Sequence, residues 1–236
     1  MKLNLMVAGA ALALSAVAAQ SASAAVDVLN FAGLNGNAEE AVGNYYDGGT
    51  GGLGSGPGPS YGITFSSNAI SCSGQPGGTC NVAEIPGGAG ANILFFLTGA
   101  AATMDVAGGF TTGFAFDYSA VNEPGSISVW SGLDGTGTEL ASLNLPTTPV
   151  AGDAGCDGAQ FCPFTAVNVA FSGVAESVSF GGSENQVAFA DVTIGSTEVG
   201  GVPEPATWAM LLVGVGGVGG ILRGSRRKQS SAIAAA

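Results

Sequence analysis

Residues 110–118 read FTTGFAFDY, and every second position from Phe110 to Tyr118 carries an aromatic or β-branched side chain. Side chains alternate between the two faces of a β-strand, so this spacing places four aromatic rings on one face. The residues between them are mostly small. The stretch therefore predicts a single β-strand over 110–118 with one buried face.

The same two-residue period recurs along residues 26–201, and no helical period competes with it. The predicted strands lie at 29–31, 61–65, 110–118, 126–130, 140–145, 167–171, 178–180 and 186–194. The sequence Asp134-Gly135-Thr136-Gly137 predicts a hairpin turn between two of them. We expect an all-β domain, an antiparallel β-sandwich of the jelly-roll type.

Basic residues occur only at the two ends of the 236-residue chain. They are Lys2, Arg223, Arg226, Arg227 and Lys228. Residues 26–201 hold 16 of the 17 carboxylates and no cation. Nucleic-acid binding depends on Lys and Arg, so the composition argues against it. The absence of His also excludes Ser-His-Asp and Cys-His catalysis.

Residues 1–25 have the three parts of a secretory signal peptide. Lys2 is the basic part, an apolar stretch runs from Leu3 to about Ala19, and small residues occupy 22–25. Cleavage after Ala24 or Ala25 fits the small-x-small pattern. We expect this segment to direct export, and an uncut membrane anchor is the alternative.

Four cysteines fit an exported protein. Three pairings are possible, and the local one joins Cys72 to Cys80 and Cys156 to Cys162. It closes two short loops rich in Gly and Pro, and each bond would contribute roughly 2–4 kcal/mol. A structural zinc site is the alternative, although the spacing is not Cys-x-x-Cys and no His is present.

The chain ends with a tripartite segment, VPEPATWAMLLVGVGGVGGILRGSRRK, at 202–228. The uncharged run 206–222 would span about 25 Å as a helix, slightly less than a ~30 Å hydrocarbon core. Trp208 lies where an interfacial aromatic residue would lie. The basic stop-transfer cluster is Arg223, Arg226, Arg227 and Lys228. By the positive-inside rule, the cluster and residues 229–236 stay in the cytoplasm and the β-domain lies outside the inner membrane.

This segment resembles the PEP-CTERM sorting domain, in the PEPxxWA form of some Gram-negative bacteria. The matching residues are Pro203, Glu204, Pro205, Trp208 and Ala209. The resemblance implies that a membrane-embedded exosortase recognises the Pro-Glu-Pro triplet and removes the helix. It also implies a host that makes exopolysaccharide, transient residence in the inner membrane, and delivery of the body to the cell surface or matrix.

A pair of carboxylates could hydrolyse glycosides, and that route needs no base other than Asp or Glu. The candidates for a glycosidase are Glu39, Glu40, Glu123 and Glu139. Their polar sequence contexts are typical of solvated loop carboxylates, so we expect no enzymatic activity.

We expect no cofactor, and calcium is the alternative, since it prefers oxygen ligands and the body holds many carboxylates and no cation. Asp191 lies within the apolar strand 187–194 and is the first candidate ligand, joined by Asp27 or Glu40. In ideal alternation Asp191 shares a face with Phe189. The alternative is that Asp191 faces water, opposite a core face formed by Ala188, Ala190, Val192 and Ile194.

Carbohydrate binding would need exposed aromatic rings beside polar groups. Trp130 alternates with Ile127 and Val129 and therefore lies on the opposite face of its strand, while Tyr45 and Tyr46 flank a loop with nine glycines over 43–62. A partly buried Trp130 and two loop-anchoring tyrosines are the alternatives. The sequence thus predicts a non-catalytic surface or matrix protein associated with exopolysaccharide or biofilm, with a carbohydrate-binding module, calcium-dependent or not, as the second hypothesis and a glycosidase as the third.

Overall fold

The computed structural model describes residues 26–74, 78–88, 90–111, 113–148, 156 and 159–200. These residues form twelve β-strands and one 3₁₀ turn, Leu133–Gly135. The strands are β1 Asp27–Leu29, β2 Glu40–Ala41, β3 Ile63–Phe65, β4 Ile70–Cys72, β5 Ile93–Phe95, β6 Ala101–Phe110, β7 Phe114–Ala120, β8 Gly125–Trp130, β9 Glu139–Leu145, β10 Thr165–Val169, β11 Ala175–Gly182 and β12 Val187–Ile194. The proposed signal peptide and the C-terminal segment lie outside the described residues. Within the described ranges, no helix is long and apolar enough to cross a membrane.

The strands form two sheets in which every named pair is antiparallel. The seven-stranded sheet has the order β10-β7-β12-β5-β4-β2, and β1 also pairs with β12. The five-stranded sheet has the order β3-β6-β11-β8-β9. The all-β sandwich predicted from the period-2 pattern is therefore confirmed.

Aromatic rings join the two sheets through a shared core. Phe180 of β11 packs edge-on against Phe189 of β12, with the ring centroids 5.0 Å apart. It also contacts Phe114 at 5.8 Å and Phe116 at 6.4 Å, both on β7. All four side chains are fully buried. Each ring of this size removes a large apolar area from water, so this cluster supplies much of the stabilisation of the sandwich.

The stretch 110–118 is not one strand. Phe110 ends β6 in the five-stranded sheet, whereas Phe114 begins β7 in the seven-stranded sheet. Gly113 lies between them with φ +127°, a conformation that residues with a Cβ rarely adopt. The aromatic side chains nevertheless enter the same core, so the prediction of a buried face is correct and the prediction of a continuous strand is wrong.

A second, smaller apolar cluster covers the outer face of the seven-stranded sheet. It contains Cys72, Val82, Ile93, Phe95, Phe161, Ala188 and Ala190. Disulfides join Cys72 to Cys80 and Cys156 to Cys162, with Cα atoms 5.8 and 5.5 Å apart. Next to these disulfides, Phe161 N–H donates to the carbonyl of Asn81, the residue after Cys80, at 3.1 Å. The disulfides therefore fix an outer layer of loops over a sheet that would otherwise expose its second face.

Candidate functional site

A β-bulge in β12 places Asp191 in an unusual position. Asp117 of β7 pairs with Ala190 and Ala115 pairs with Thr193, so Phe116 alone opposes both Asp191 and Val192. Asp191 has φ +47°, the left-handed conformation found in one class of bulge. The extra residue interrupts the alternation of side chains along the strand.

The bulge moves Asp191 off the face occupied by Phe189. Phe189 and Val192 both enter the inter-sheet core although they are three residues apart, whereas Ala190 joins the outer cluster. Neither predicted arrangement of this strand is therefore correct. Asp191 does not share the core face with Phe189, and it is only 8% exposed rather than facing water.

Asp117 lies beside Asp191 on the outer face of the same sheet. Its neighbours on β7, Phe116 and Tyr118, enter the inter-sheet core, so Asp117 points the other way. The Asp117 side chain is 9% exposed. Two carboxylates thus meet at the border of the disulfide-fixed outer layer, and each is about nine-tenths buried.

These two carboxylates form no ion pair, because residues 26–201 contain no Lys, Arg or His. Among the residues that the structure describes, no hydrogen bond to either carboxylate contributes to its pKa, and neither carboxylate is among the fully buried polar groups without a partner, so both keep contact with solvent. Burial raises the pKa of Asp117 to about 6, and the nearby charge of Asp191 adds to this shift. Burial also raises the pKa of Asp191.

Main chain from two loops approaches the Asp191 carboxylate closely. A Cβ on Gly87 would lie 3.2 Å from Asp191 Oδ1, and a Cβ on Gly200 would lie 3.4 Å from Asp191 Oδ2. Asn30, which follows β1, donates from Nδ2 to the Gly87 carbonyl at 3.3 Å. Thr193 Oγ1 accepts from the Gly200 N–H at 2.9 Å. The two glycines therefore leave room at the carboxylate that a side chain would fill.

The predicted metal ligands Asp27 and Glu40 do not join Asp191. Within the described ranges, no three His, Cys, Asp or Glu side chains come together as a metal-ligand group. Leu29 pairs with Val192 and enters the core, so Asp27, two residues earlier on β1, points to the core side of the sheet and away from Asp191.

Glu40 instead fastens the glycine-rich loop. Its Oε1 accepts from the N–H groups of Leu53 at 2.8 Å and Ser55 at 3.2 Å, and its Oε2 accepts from Asn35 N–H and from Ser55 Oγ at 2.6 Å. The residue is fully buried. Burial acts to raise the pKa of Glu40, but these four hydrogen bonds outweigh it and hold the pKa below its ordinary value.

Tyr45 and Tyr46 are core residues and not a sugar platform. Tyr46 is 3% exposed, and its hydroxyl accepts from Phe31 N–H at 2.8 Å. The Tyr45 hydroxyl donates to the Ala32 carbonyl at 3.1 Å. The exposed aromatic ring here is Tyr61, which stacks on Tyr46 with centroids 6.0 Å apart. The alternative reading, in which the two tyrosines anchor their loop, agrees with these contacts.

Trp130 lies on the outer face of the five-stranded sheet, because Ile127 and Val129 of the same strand are fully buried in the core. Its ring is half-buried, and a Cβ on Gly135 would lie 3.8 Å from its Nε1. In the described part of the chain, this buried Nε1 has no hydrogen-bond partner. The 3₁₀ turn thus covers one edge of the indole, and sugar binding by Trp130 stays a prediction.

The remaining glutamates proposed for glycoside hydrolysis are exposed and lie on different elements. Glu39 precedes β2, Glu123 lies between β7 and β8, and Glu139 begins β9. Glu139 accepts from Ser128 Oγ at 3.1 Å. Each has the surroundings of a solvated surface carboxylate.

The C-terminal segment gives the decisive comparison with known proteins. Residues 201–228 match the family model of the PEP-CTERM protein-sorting motif. The chain carries a PEP-CTERM sorting motif. This motif marks the chain as an exported protein. The residues predicted to form it, Pro203, Glu204, Pro205, Trp208 and Ala209, fall within the match and outside the described structure.

The described β-body that precedes this sorting motif is distantly similar to three solved structures. A family 43 arabinoxylan arabinofuranohydrolase from Bacillus subtilis gives a TM-score of 0.35 at 19% identity, covering 55% of this chain and 25% of its own. A family 6 carbohydrate-binding module of Cellvibrio mixtus lichenase 5A gives 0.30 at 13%, covering 50% and 87%. The C-terminal family 6 module of LamC from Zobellia galactanivorans gives 0.27 at 14%, covering 44% and 80%.

The chain spans about a quarter of the length of the arabinofuranohydrolase. No curated protein matches the sequence. At these TM-scores the similarities carry no argument about ligand or activity, so the function of the body has to be argued from its own residues.

Proposed function

We propose that this PEP-CTERM protein is a non-catalytic component of the cell surface or extracellular matrix, delivered through processing by an exosortase. The sorting motif at 201–228 carries the proposal. The body that precedes it is acidic, with 16 carboxylates and no cation over 26–201. Such a surface repels other polyanions and suits a neutral exopolysaccharide as its surroundings.

The arrangement of titratable groups supports a non-catalytic role. The chain has no His, and a general acid needs a pKa raised towards the working pH. Glu40 has the opposite shift, because hydrogen bonds stabilise its charged form. Asp117 has a raised pKa, but its side chain is only 9% exposed, which leaves a polymeric substrate little access to it.

The sorting step can be tested by replacing Glu204 with alanine. We expect the exported chain to keep its C-terminal segment and to accumulate in the membrane fraction, because the triplet that the exosortase recognises is interrupted. The measurement is the size of the protein in membrane and surface fractions of the exporting host, by immunoblot. Glu198→Ala is the matched control, since it removes an exposed carboxylate outside the motif. Normal processing of the Glu204→Ala chain would refute the role given to the triplet.

Binding of a neutral glycan is the second candidate function, and the outer-face position of Trp130 favours it. The serine side chains of Ser126 and Ser128 share that face of β8 and offer hydroxyl groups beside the indole.

For this candidate, Trp130→Ala is expected to weaken binding to the host's neutral exopolysaccharide about tenfold, since ring stacking contributes roughly 1 kcal/mol or more. Affinity electrophoresis measures the change. Tyr61→Ala is the matched control, because it removes an exposed aromatic ring that stacks on Tyr46 and not on the face of β8. Equal binding by wild type and Trp130→Ala would remove this candidate.

A further inference from the structure

Strand β9 forms an edge of the five-stranded sheet, and among the described strands it pairs with β8 alone. The glycine-rich loop covers the edge at β2, where Gly52 N–H donates to the Ala41 carbonyl at 2.8 Å. It also covers the edge at β3, where Phe65 N–H donates to the Gly43 carbonyl at 2.8 Å. β10 is an edge strand of five residues, whereas β9 has seven. β9 is therefore the longest edge strand of the described sandwich.

The hydrogen bonds of the sheet show which main-chain groups of β9 face outwards. Ser131 N–H, directly after β8, donates to the Thr138 carbonyl at 3.0 Å. Counting back from Ser131, every second residue of β8 bonds to β9, and the β9 residues paired with these positions are Ala141, Leu143 and Leu145. The N–H and C=O groups of Ser142 and Asn144 therefore point away from β8. Both residues are exposed.

The core is incompletely covered along this edge. Ala141 and Leu143 pack against the inter-sheet core but are only partly buried, whereas Ile127 and Val129 on the neighbouring strand are fully buried. Neither Lys nor Pro, which commonly protect edge strands, occurs in β9. Its single carboxylate, Glu139, is its first residue. The edge thus offers unpaired main-chain groups beside uncharged side chains, which is the surface that another strand requires.

We propose that β9 pairs with β9 of a second copy of this chain, antiparallel, about a two-fold axis at Leu143. Ser142 of each copy then exchanges main-chain hydrogen bonds with Asn144 of the other, and the two Leu143 side chains cover each other on the core side. Glu139 lies opposite Thr147 in this register, so no like charges meet. The edge is therefore complementary to itself.

The association is weak and depends on salt. The seven residues of the edge are fewer than the roughly 20–30 residues a side of a stable complex. The 16 carboxylates of residues 26–201, with no cation, repel a second copy, and added salt screens this repulsion. Dimers thus require a high local concentration, such as that of a surface or matrix layer, and in this respect alone the inference rests on the proposed function.

Sedimentation velocity of the purified full chain over a concentration series tests the pairing. We expect dimers of the wild type whose dissociation constant falls between about 0.05 M and about 0.5 M NaCl. Ser142→Lys combined with Asn144→Lys places Lys opposite Lys and should raise the constant about tenfold, although the chain becomes less negative. Ser142→Lys combined with Asn144→Asp places Lys opposite Asp and should bring the constant to the wild-type value or below.

Ser126→Lys combined with Ser128→Lys is the matched control, because it adds the same charge to the same face of the sheet one strand further in. It should associate at least as well as the wild type, and any association through the C-terminal segment is common to all these chains. A wild type that stays monomeric, or equal constants for the control and the β9 double-lysine variant, would overturn the pairing. A Lys–Asp variant as weak as the double-lysine variant would overturn the two-fold register. None of these outcomes affects the sorting step, which the processing of Glu204→Ala tests separately.

Discussion

Replacing Phe180 with alanine is expected to lower the free energy of unfolding by about 3–5 kcal/mol. The ring contacts Phe114, Phe116 and Phe189 of the opposite sheet, at centroid distances between 5.0 and 6.4 Å. Its removal takes away both the buried apolar area and the edge-to-face contacts, and it leaves a cavity between two sheets that cannot fully close. Denaturant unfolding followed by circular dichroism measures the change.

Val174→Ala is the control for Phe180, because Val174 directly precedes the same strand and is 52% exposed. A surface change of this kind is expected to stay within about 0.5 kcal/mol. A loss of less than about 1 kcal/mol for Phe180→Ala would show that the two sheets are not held together through this ring.

The fold class followed from the sequence wherever large side chains mark the two-residue period. β8 and β12 were predicted nearly to their bounds, because Ile127, Val129 and Phe189 stand out from small neighbours. β6, Ala101–Phe110, escaped prediction although it is ten residues long. Its buried face is formed by Ala102, Met104 and Val106, which give a weak pattern beside the glycines that follow. Pairing within the sheet decides such a strand, and local preference does not.

The break at Gly113 shows a different limit of the two-residue period. Phe110 and Phe114 keep the same spacing across a change of sheet, because both side chains point into the one core between the sheets. A period records which side chains are buried. It does not record whether the backbone that carries them is continuous, so one buried face was read as one strand.

The sequence identifies the residues of the candidate site but does not indicate that they lie close together. Asp191 stood out as a carboxylate within an apolar strand, and Asp117, between Phe116 and Tyr118, carries the same signal. Their proximity depends on the pairing of β7 with β12, which are far apart in the chain. The bulge that turns Asp191 outwards could not be predicted from the sequence, because its left-handed residue is Asp191 itself and not a glycine. Asp27 was assigned to the site from its place at the N-terminus of the domain, but the register puts its side chain on the other face.

The local disulfide pairing could be predicted because short loops leave few geometric alternatives. What the spacing could not indicate is the place of the loops on the outer face of the seven-stranded sheet. There, Val82, which follows the first disulfide, and Phe161, which lies within the second loop, form one apolar cluster with Ala188 and Ala190 of β12. The small side chains of these alanines allow a second layer to lie close to the sheet, beside the two aspartates.

Glu40→Gln is expected to lower the free energy of unfolding by about 2–4 kcal/mol at neutral pH. Each carboxylate oxygen accepts two hydrogen bonds, from Leu53 and Ser55 N–H at Oε1 and from Asn35 N–H and Ser55 Oγ at Oε2. A glutamine amide nitrogen in either position would face an N–H donor. Denaturant unfolding measures the loss, and Glu39→Gln, which changes an exposed neighbour, should be nearly neutral.

The pH dependence of the free energy of unfolding, compared between wild type and Glu40→Gln, tests whether the negative charge of Glu40 causes the stability difference. The pKa of Glu40 lies below its ordinary value of 4.5, because the four hydrogen bonds outweigh burial, which acts to raise it. Its contribution to stability is therefore complete above pH 4.5 and is lost as the pH falls through the lower pKa of the folded state. The stability difference between wild type and Glu40→Gln should shrink over that window, while carboxylates common to both proteins cancel from it. A difference that stays constant down to pH 3 would mean that the shape of the side chain, and not its charge, holds the glycine-rich loop.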